Sequence, residues 1–283
     1  MSLLSINWAA LGSTTLFVLL WSSGAIFSKW GLHYASPFAF LMLRFVLAAS
    51  VLLLLGWRAR QWRPQPGTRG RVAMAGALLI GSYSVCYFLA LDQGITPGVL
   101  ATVLGAQPVL TLALLERRFQ PVRLLGLLLA IAGLVLVVWQ SITQAHFSLA
   151  GILFALGALL SMTAGAILQK GISQSPLQVL PLQYGLSLLL CLLISPLQPL
   201  TLQWDWGFVI PWVWLGLVIS VCAQLLLYRL IRQGNLVNVT SLFYLVPVIT
   251  ALMDYLFLGN LLPWSAMAGM VAILLGVMLV YRA

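Results

Sequence analysis

The sequence says one short phrase twice. Residues 24–37 read Gly-Ala-Ile-Phe-Ser-Lys-Trp-Gly-Leu-His-Tyr-Ala-Ser-Pro, and residues 165–176 read Gly-Ala-Ile-Leu-Gln-Lys-Gly-Ile-Ser-Gln-Ser-Pro. Each copy ends an apolar run on a lysine, Lys29 or Lys170, and opens the next run with Ser-Pro, at Ser36-Pro37 or Ser175-Pro176. The correspondence continues in order. Asp92-Gln93-Gly94 answers Arg232-Gln233-Gly234, Pro108 answers Pro247, and the pair Gly126 and Gly133 answers Gly269 and Gly276, at offsets of 139 to 143 residues. Self-similarity at a fixed period marks a duplication. The chain reads as two related halves, 1–144 and 145–283.

What the halves are follows from how little of them water could solvate. Hydrophobic residues make up 62% of the chain and charged residues 6%, with four acids in 283 residues. That excludes a water-soluble globule and leaves a membrane protein. Runs of the length that crosses a bilayer's hydrocarbon core fall at 8–28, 38–57, 72–91, 97–115, 121–139, 149–169, 176–195, 211–231, 236–258 and 263–281. The expected fold is all-α and polytopic, with ten transmembrane helices in a single membrane domain spanning 1–283. The first run is expected to be retained, since its start carries no cation and it is too long for the core of a signal peptide.

Cations set the expected orientation. With the amino terminus in the cytosol, the inner loops and span ends collect Arg58, Arg60, Arg63, Arg69, Arg71, Arg117, Arg118, Arg123, Lys170, Arg229, Arg232 and Arg282. The outer side keeps Lys29, and Arg44 lies within a span. This positive-inside bias predicts both termini in the cytosol and a multi-pass protein of the plasma (inner) membrane. The net charge of +10 is then topology plus contact with anionic lipid, and no nucleic-acid partner is expected. Five spans per half is an odd number, so the halves have opposite topology. Inverted repeats of this kind are common where a central cavity alternates between two faces of a membrane.

Candidate site residues are the polar and aromatic groups inside spans. Arg44 lies seven residues beyond Pro37, about 10 Å into the membrane at ~1.5 Å per residue, where an unpaired guanidinium is costly. Asp92 and Asp254 are its candidate partners, and either a structural ion pair or a gate fits. Trp21, Ser22 and Ser23 fall mid-span, as do Tyr83 and Tyr87. Each suits either internal packing or the wall of a cavity. Thr102, Gln107 and Pro108 in the fourth span are matched by Thr240, Tyr244 and Pro247 in the ninth. Proline frees a carbonyl and interrupts the helix, and paired interruptions point to a midplane binding site. Ser220, Gln224 and Tyr228 recur every four residues and so share a helix face. Lys29 and Lys170, at opposite span ends, are further candidates for gating.

Spans five and ten are almost wholly apolar and carry the glycine pairs, whose spacing allows close helix approach. They suit either a scaffold or a homodimer contact. His33, His146, Cys86, Cys191 and Cys222 have neither metal nor disulfide spacing, so no metal and no cofactor is expected. An intramembrane lipid-modifying enzyme, which needs a nucleophile with a base or a metal at membrane depth, is a lesser alternative. A non-transporting scaffold or receptor is another.

Trp21-Ser22-Ser23-Gly24, Arg44-Phe45-Val46-Leu47-Ala48, Gln107-Pro108 and Glu116 opening the loop to span five occur in an order, across ten spans, that resembles the EamA-type members of the drug/metabolite transporter superfamily. The resemblance covers nearly the whole chain. It implies a ten-helix transporter with a central cavity, exporting amino acids, other metabolites or drugs. The second half departs from the pattern, with Asn260 in place of a glutamate and Gln183 opposite Arg44. Small multidrug members of the superfamily use an acid in the first span to exchange protons for cations, and this first span has none. A neutral, zwitterionic or anionic solute is therefore favoured, with export the expected direction.

Overall fold

A computed structural model of the chain describes residues 8–115, 120–139, 148–249 and 263–282, with Thr143 and Leu252. Glu116, His146, Asp254 and Asn260 lie outside the described residues. The described chain is helical. Among the described residues, eight helices are long and apolar enough to cross a membrane: α1 (Trp8–Leu32), α2 (Pro37–Arg58), α3 (Arg69–Asp92), α4 (Pro97–Leu115), α6 (Leu149–Lys170), α7 (Pro176–Ile194), α8 (Trp206–Gln233) and α10 (Trp264–Arg282). Two shorter apolar helices are α5 (Pro121–Val137) and α9 (Leu236–Ile249).

Helix starts are set by capping chemistry, which shifts them from the edges of the apolar runs. Four helices begin with proline as the first helical residue, where its missing N–H costs nothing. Asp205 caps α8 by accepting from the Gly207 N–H at 2.8 Å, so α8 begins at Trp206 rather than at 211. Likewise α3 begins in the basic loop at Arg69. Pure hydropathy misses both, because a capping side chain and a cationic first turn are polar.

The helices α3 and α8 each carry a π-helical stretch, Ala77–Ser82 and Trp214–Ala223. These occupy corresponding positions in the two halves. The stretch in α3 packs on α6 and α7, and the stretch in α8 packs on α1 and α2, so each half's third helix is buried against the other half. At one end of the bundle the α1–α2 turn is tied to the α7–α8 loop, with the Ser36 N–H donating to the Thr201 carbonyl at 2.9 Å and the Gln203 N–H to the Tyr34 carbonyl at 2.8 Å. At the other, basic end the α6–α7 turn is tied to the α2–α3 loop, where the Gln65 N–H donates to Gln174 Oε1 at 2.8 Å.

The helices α5 and α10 cross antiparallel at backbone contact. A Cβ on Gly126 would lie 2.7 Å from the Gly276 carbonyl oxygen, and one on Gly133 2.6 Å from that of Gly269. The two glycine faces therefore meet each other within one chain. Leu127, Ala130, Leu134, Ile273 and Val277 fill the rest of this seam, with Tyr244 and Leu112 beside it. Leu125, Leu153 and Leu160, in the apolar helices α5 and α6, are at least 60% exposed. Apolar side chains turned outward on such helices make sense against lipid.

Candidate functional site

A cavity of about 120 Å³ lies among α1–α4 and α6–α9. At ~10–15 Å³ for each water-sized group it takes roughly ten heavy atoms. Its walls run from the middle of the bundle, at Met162, Tyr184 and Ile219, toward the end opposite the basic loops, at Ser28, Tyr87 and Pro97.

Arg44 is the charge in this wall. Its guanidinium is held by one directed contact, Nε donating to Ser220 Oγ at 2.8 Å across from α2 to α8. The expected pairing with Asp92 is not formed: Asp92 is exposed at the end of α3, and no salt bridge occurs among the described residues. Asp254, the other expected partner, lies outside the described residues. The remaining N–H groups of Arg44 face a cavity whose lining contains no carboxylate among the described residues.

Aromatic rings make up much of the rest. Tyr83 and Tyr87, one turn apart on α3, lie with ring centroids 5.7 Å apart. Trp21 on α1 meets Phe243 on α9 edge-on at 5.4 Å, and Phe17 braces both. Tyr184, one residue beyond Gln183, packs on Phe45 at 5.8 Å and lines the cavity beside Arg44.

Gln107 sits where α4 breaks. The first segment ends at Leu104, Gly105 and Ala106 turn, and the second begins at Gln107-Pro108. Pro108 supplies no N–H, so the carbonyl four residues earlier loses its helical donor. Matching this, α9 tightens to a 3-10 turn over Leu242–Tyr244 just before Pro247. Gln107 is 1% exposed and lines the cavity, yet neither its amide nitrogen nor its oxygen has a hydrogen-bond partner. A buried primary amide left empty-handed beside a cavity is a waiting donor and acceptor. Gln224 on α8 lines the same space.

The structure thus brings Trp21, Arg44, Tyr83, Tyr87, Gln107, Gln224 and Pro247 to one cavity. It places other candidates elsewhere, for a common reason. A hydroxyl in a membrane helix can donate to a carbonyl of its own helix. Ser22 donates to Val18 at 2.6 Å, Thr102 to Gly98 at 3.0 Å and Thr240 to Val237 at 3.1 Å. Ser23 donates to Leu20 at 2.6 Å and accepts from Trp214 Nε1 at 2.8 Å. Tyr228 and Tyr244 are buried in apolar clusters. Sequence reasoning missed Tyr184 and the role of Ser220. The second was within reach, since Ser220 stands one turn from Gln224 on the same face.

The candidate gating lysines are unlike each other. Lys170 Nζ donates to the carbonyls of Ile231 at 2.8 Å and Gly234 at 2.5 Å, tying α6 to the end of α8. Beside it, Arg123 of α5 donates to Asn235 Oδ1 at 2.9 Å and to Asn238 Oδ1 at 2.5 Å. Both sets of contacts lie at the basic end of the bundle. Lys29 is exposed at the far end.

Comparison with known proteins adds an independent line. The chain matches the EamA-like transporter family twice, over residues 8–139 and 149–282. It is 26% identical to a probable amino-acid metabolite efflux pump of Salmonella typhimurium over 281 residues, covering 92% of this chain and 91% of the relative. It is 26% identical to the uncharacterized transporter YvbV of Bacillus subtilis, over 93% of this chain and 88% of that one. A solved structure titled only as the crystal structure of a protein superposes with a TM-score of 0.78 over 98% of this chain and 99% of its own, at 20% identity, a likeness of fold alone.

Proposed function

Since the chain belongs to the EamA-like transporter family, and is therefore a membrane transporter of small metabolites rather than an enzyme, we propose that it exports an anionic, zwitterionic or neutral solute of about amino-acid size. The observation that carries this reading is the cavity wall, in which Arg44 keeps free N–H groups, no described carboxylate opposes it, and Trp21, Tyr83, Tyr87 and Phe243 supply apolar faces. A guanidinium in low dielectric attracts a carboxylate strongly and repels an ammonium. A zwitterion presents both, and the empty Gln107 amide and Gln224 can take its polar remainder. The name of the Salmonella relative as an amino-acid metabolite efflux pump points the same way.

The mechanism we propose is alternating access between two inverted five-helix repeats, ten spans in all, with the basic end and both termini in the cytosol of a cell's inner membrane. Three observations support it. The family matches each half separately. The π-helical stretches in α3 and α8 each pack on the other half. The glycines of α5 and α10 meet antiparallel and reciprocally, 126 on 276 and 133 on 269, as a two-fold axis lying in the membrane would relate them. On this reading the state described is the one open away from the basic end, since the cavity lining runs toward Ser28, Tyr87 and Pro97.

Flux of labelled aromatic and aliphatic amino acids into proteoliposomes tests the reading. Saturable transport is expected in the parent protein, and Arg44→Gln is expected to lower it at least tenfold while the purified variant keeps its melting temperature within a few degrees. Undiminished flux in Arg44→Gln removes the guanidinium from the mechanism.

A further inference from the structure

Corresponding helix ends in the two halves are finished in two different ways. At the end of α8, Lys170 supplies the cap, donating to the carbonyls of Ile231 and Gly234, with Arg232 at 3.4 Å. Gly234 there is extended, with φ −98° and ψ 172°. At the end of α3 the backbone caps itself. The N–H groups of Gln93, Gly94 and Ile95 donate to Leu89, Leu91 and Ala90 at 2.9, 3.1 and 3.0 Å, and Gly94 sits at φ +86°. By the repeat, Leu91, Asp92 and Gly94 stand where Ile231, Arg232 and Gly234 do, and Lys29 stands where Lys170 does. Lys29 is exposed and makes no hydrogen bond or ion pair among the described residues.

From this asymmetry we infer that Lys29 and Lys170 are reciprocal latches, each capping the third helix of one half, used one at a time. The inference rests on the alternating-access reading above. Lys170 holds the basic end shut in the state described. In the reciprocal state Lys29 caps the end of α3 and shuts the opposite end, while Lys170 is released. The chemistry favours this on each count. A cation is stabilised at a helix C-terminus, where carbonyls lack partners. Asp92 adds a carboxylate at that end. Glycine alone moves freely between φ +86° and the extended form, and the two halves hold it in one form each. The geometry also fits closure. Ser28, next to Lys29, lines the cavity together with Tyr87 and Pro97, and α1 already touches both α3 and α4 there. Drawing Lys29 onto the end of α3 brings these walls together.

The test reads which end is open. In a background lacking the native cysteines, Ala25→Cys places a reporter in the cavity wall, and its labelling by an impermeant thiol reagent from the Lys29 side is timed in oriented proteoliposomes. Loss of charge-assisted hydrogen bonds of this kind is expected to shift the labelling rate by roughly tenfold. Lys170→Gln is expected to slow labelling, Lys29→Gln to leave it as fast or faster, and the double variant to return it toward the parent rate. Lys170→Arg is expected to keep the parent rate, which separates loss of the latch from misfolding. The inference is overturned if the two single variants shift labelling in the same direction, if neither shifts it, or if the double variant does not recover. Failure of the transport reading looks different: no solute flux in the parent, whatever the labelling does.

Discussion

Gln107 is a side chain that weakens the fold and, in the proposed function, binds solute. Its amide is buried with both polar atoms unpartnered, a situation that costs about 1–3 kcal/mol. Gln107→Leu is accordingly expected to raise the melting temperature of the ligand-free protein in detergent while weakening solute binding about tenfold in a thermal-shift titration. A variant that loses stability assigns Gln107 to packing instead. At this level the sequence was only partly legible. Arg44, Trp21, Tyr83, Tyr87, Gln107 and Gln224 could be picked out because polarity or aromaticity at membrane depth is expensive enough to need a reason. Ser22, Thr102 and Thr240 carried the same signal for a cheaper reason, a hydrogen bond to their own helix, and spacing cannot tell the two apart. The partner of Arg44 was hidden as well. An acid was the obvious expectation, yet a serine from the other half holds Nε.

Helices α5 and α10 make the clearest case for elements specified by small residues. Gly133 leaves no room for a side chain, since its Cβ would stand 2.6 Å from a backbone oxygen that cannot rotate away. Overpacking costs about 1–3 kcal/mol where side chains can yield, so Gly133→Val against backbone is expected at or above the upper end of that range. A drop of several degrees in melting temperature, with no change in oligomeric state by light scattering, is the anticipated result. The glycine pattern itself was plain in the sequence. What it packs against was open between a second copy and the same chain, because periodicity names a face and never its partner. The glycine faces of α5 and α10 are spent on each other, so a dimer through these helices needs their outward surfaces. The π-helical stretches were illegible, since no residue pattern in 77–82 or 214–223 distinguishes them from ordinary helix.

For the molecule as a whole, duplication was the most readable property, because it is written in residue order and survives the loss of any single match. The proposed inverted arrangement predicts that Arg63 and Asp205 lie on opposite sides of the bilayer. Cysteines placed there are expected to label from opposite faces in sealed vesicles, and labelling from the same face contradicts the layout. The bare guanidinium in the cavity has an electrical consequence. With no described carboxylate opposing Arg44, the proposed export of an anion has the empty cavity carry the Arg44 charge and a monoanionic cargo cancel it. The membrane voltage then acts on the empty return stroke and spares the loaded one, at ~2.3 kcal/mol per charge for every 100 mV times the fraction of the field crossed. Turnover of an anion in vesicles clamped with potassium and valinomycin should change with the imposed potential, while exchange with solute on both sides, in which the carrier never returns empty, should ignore it.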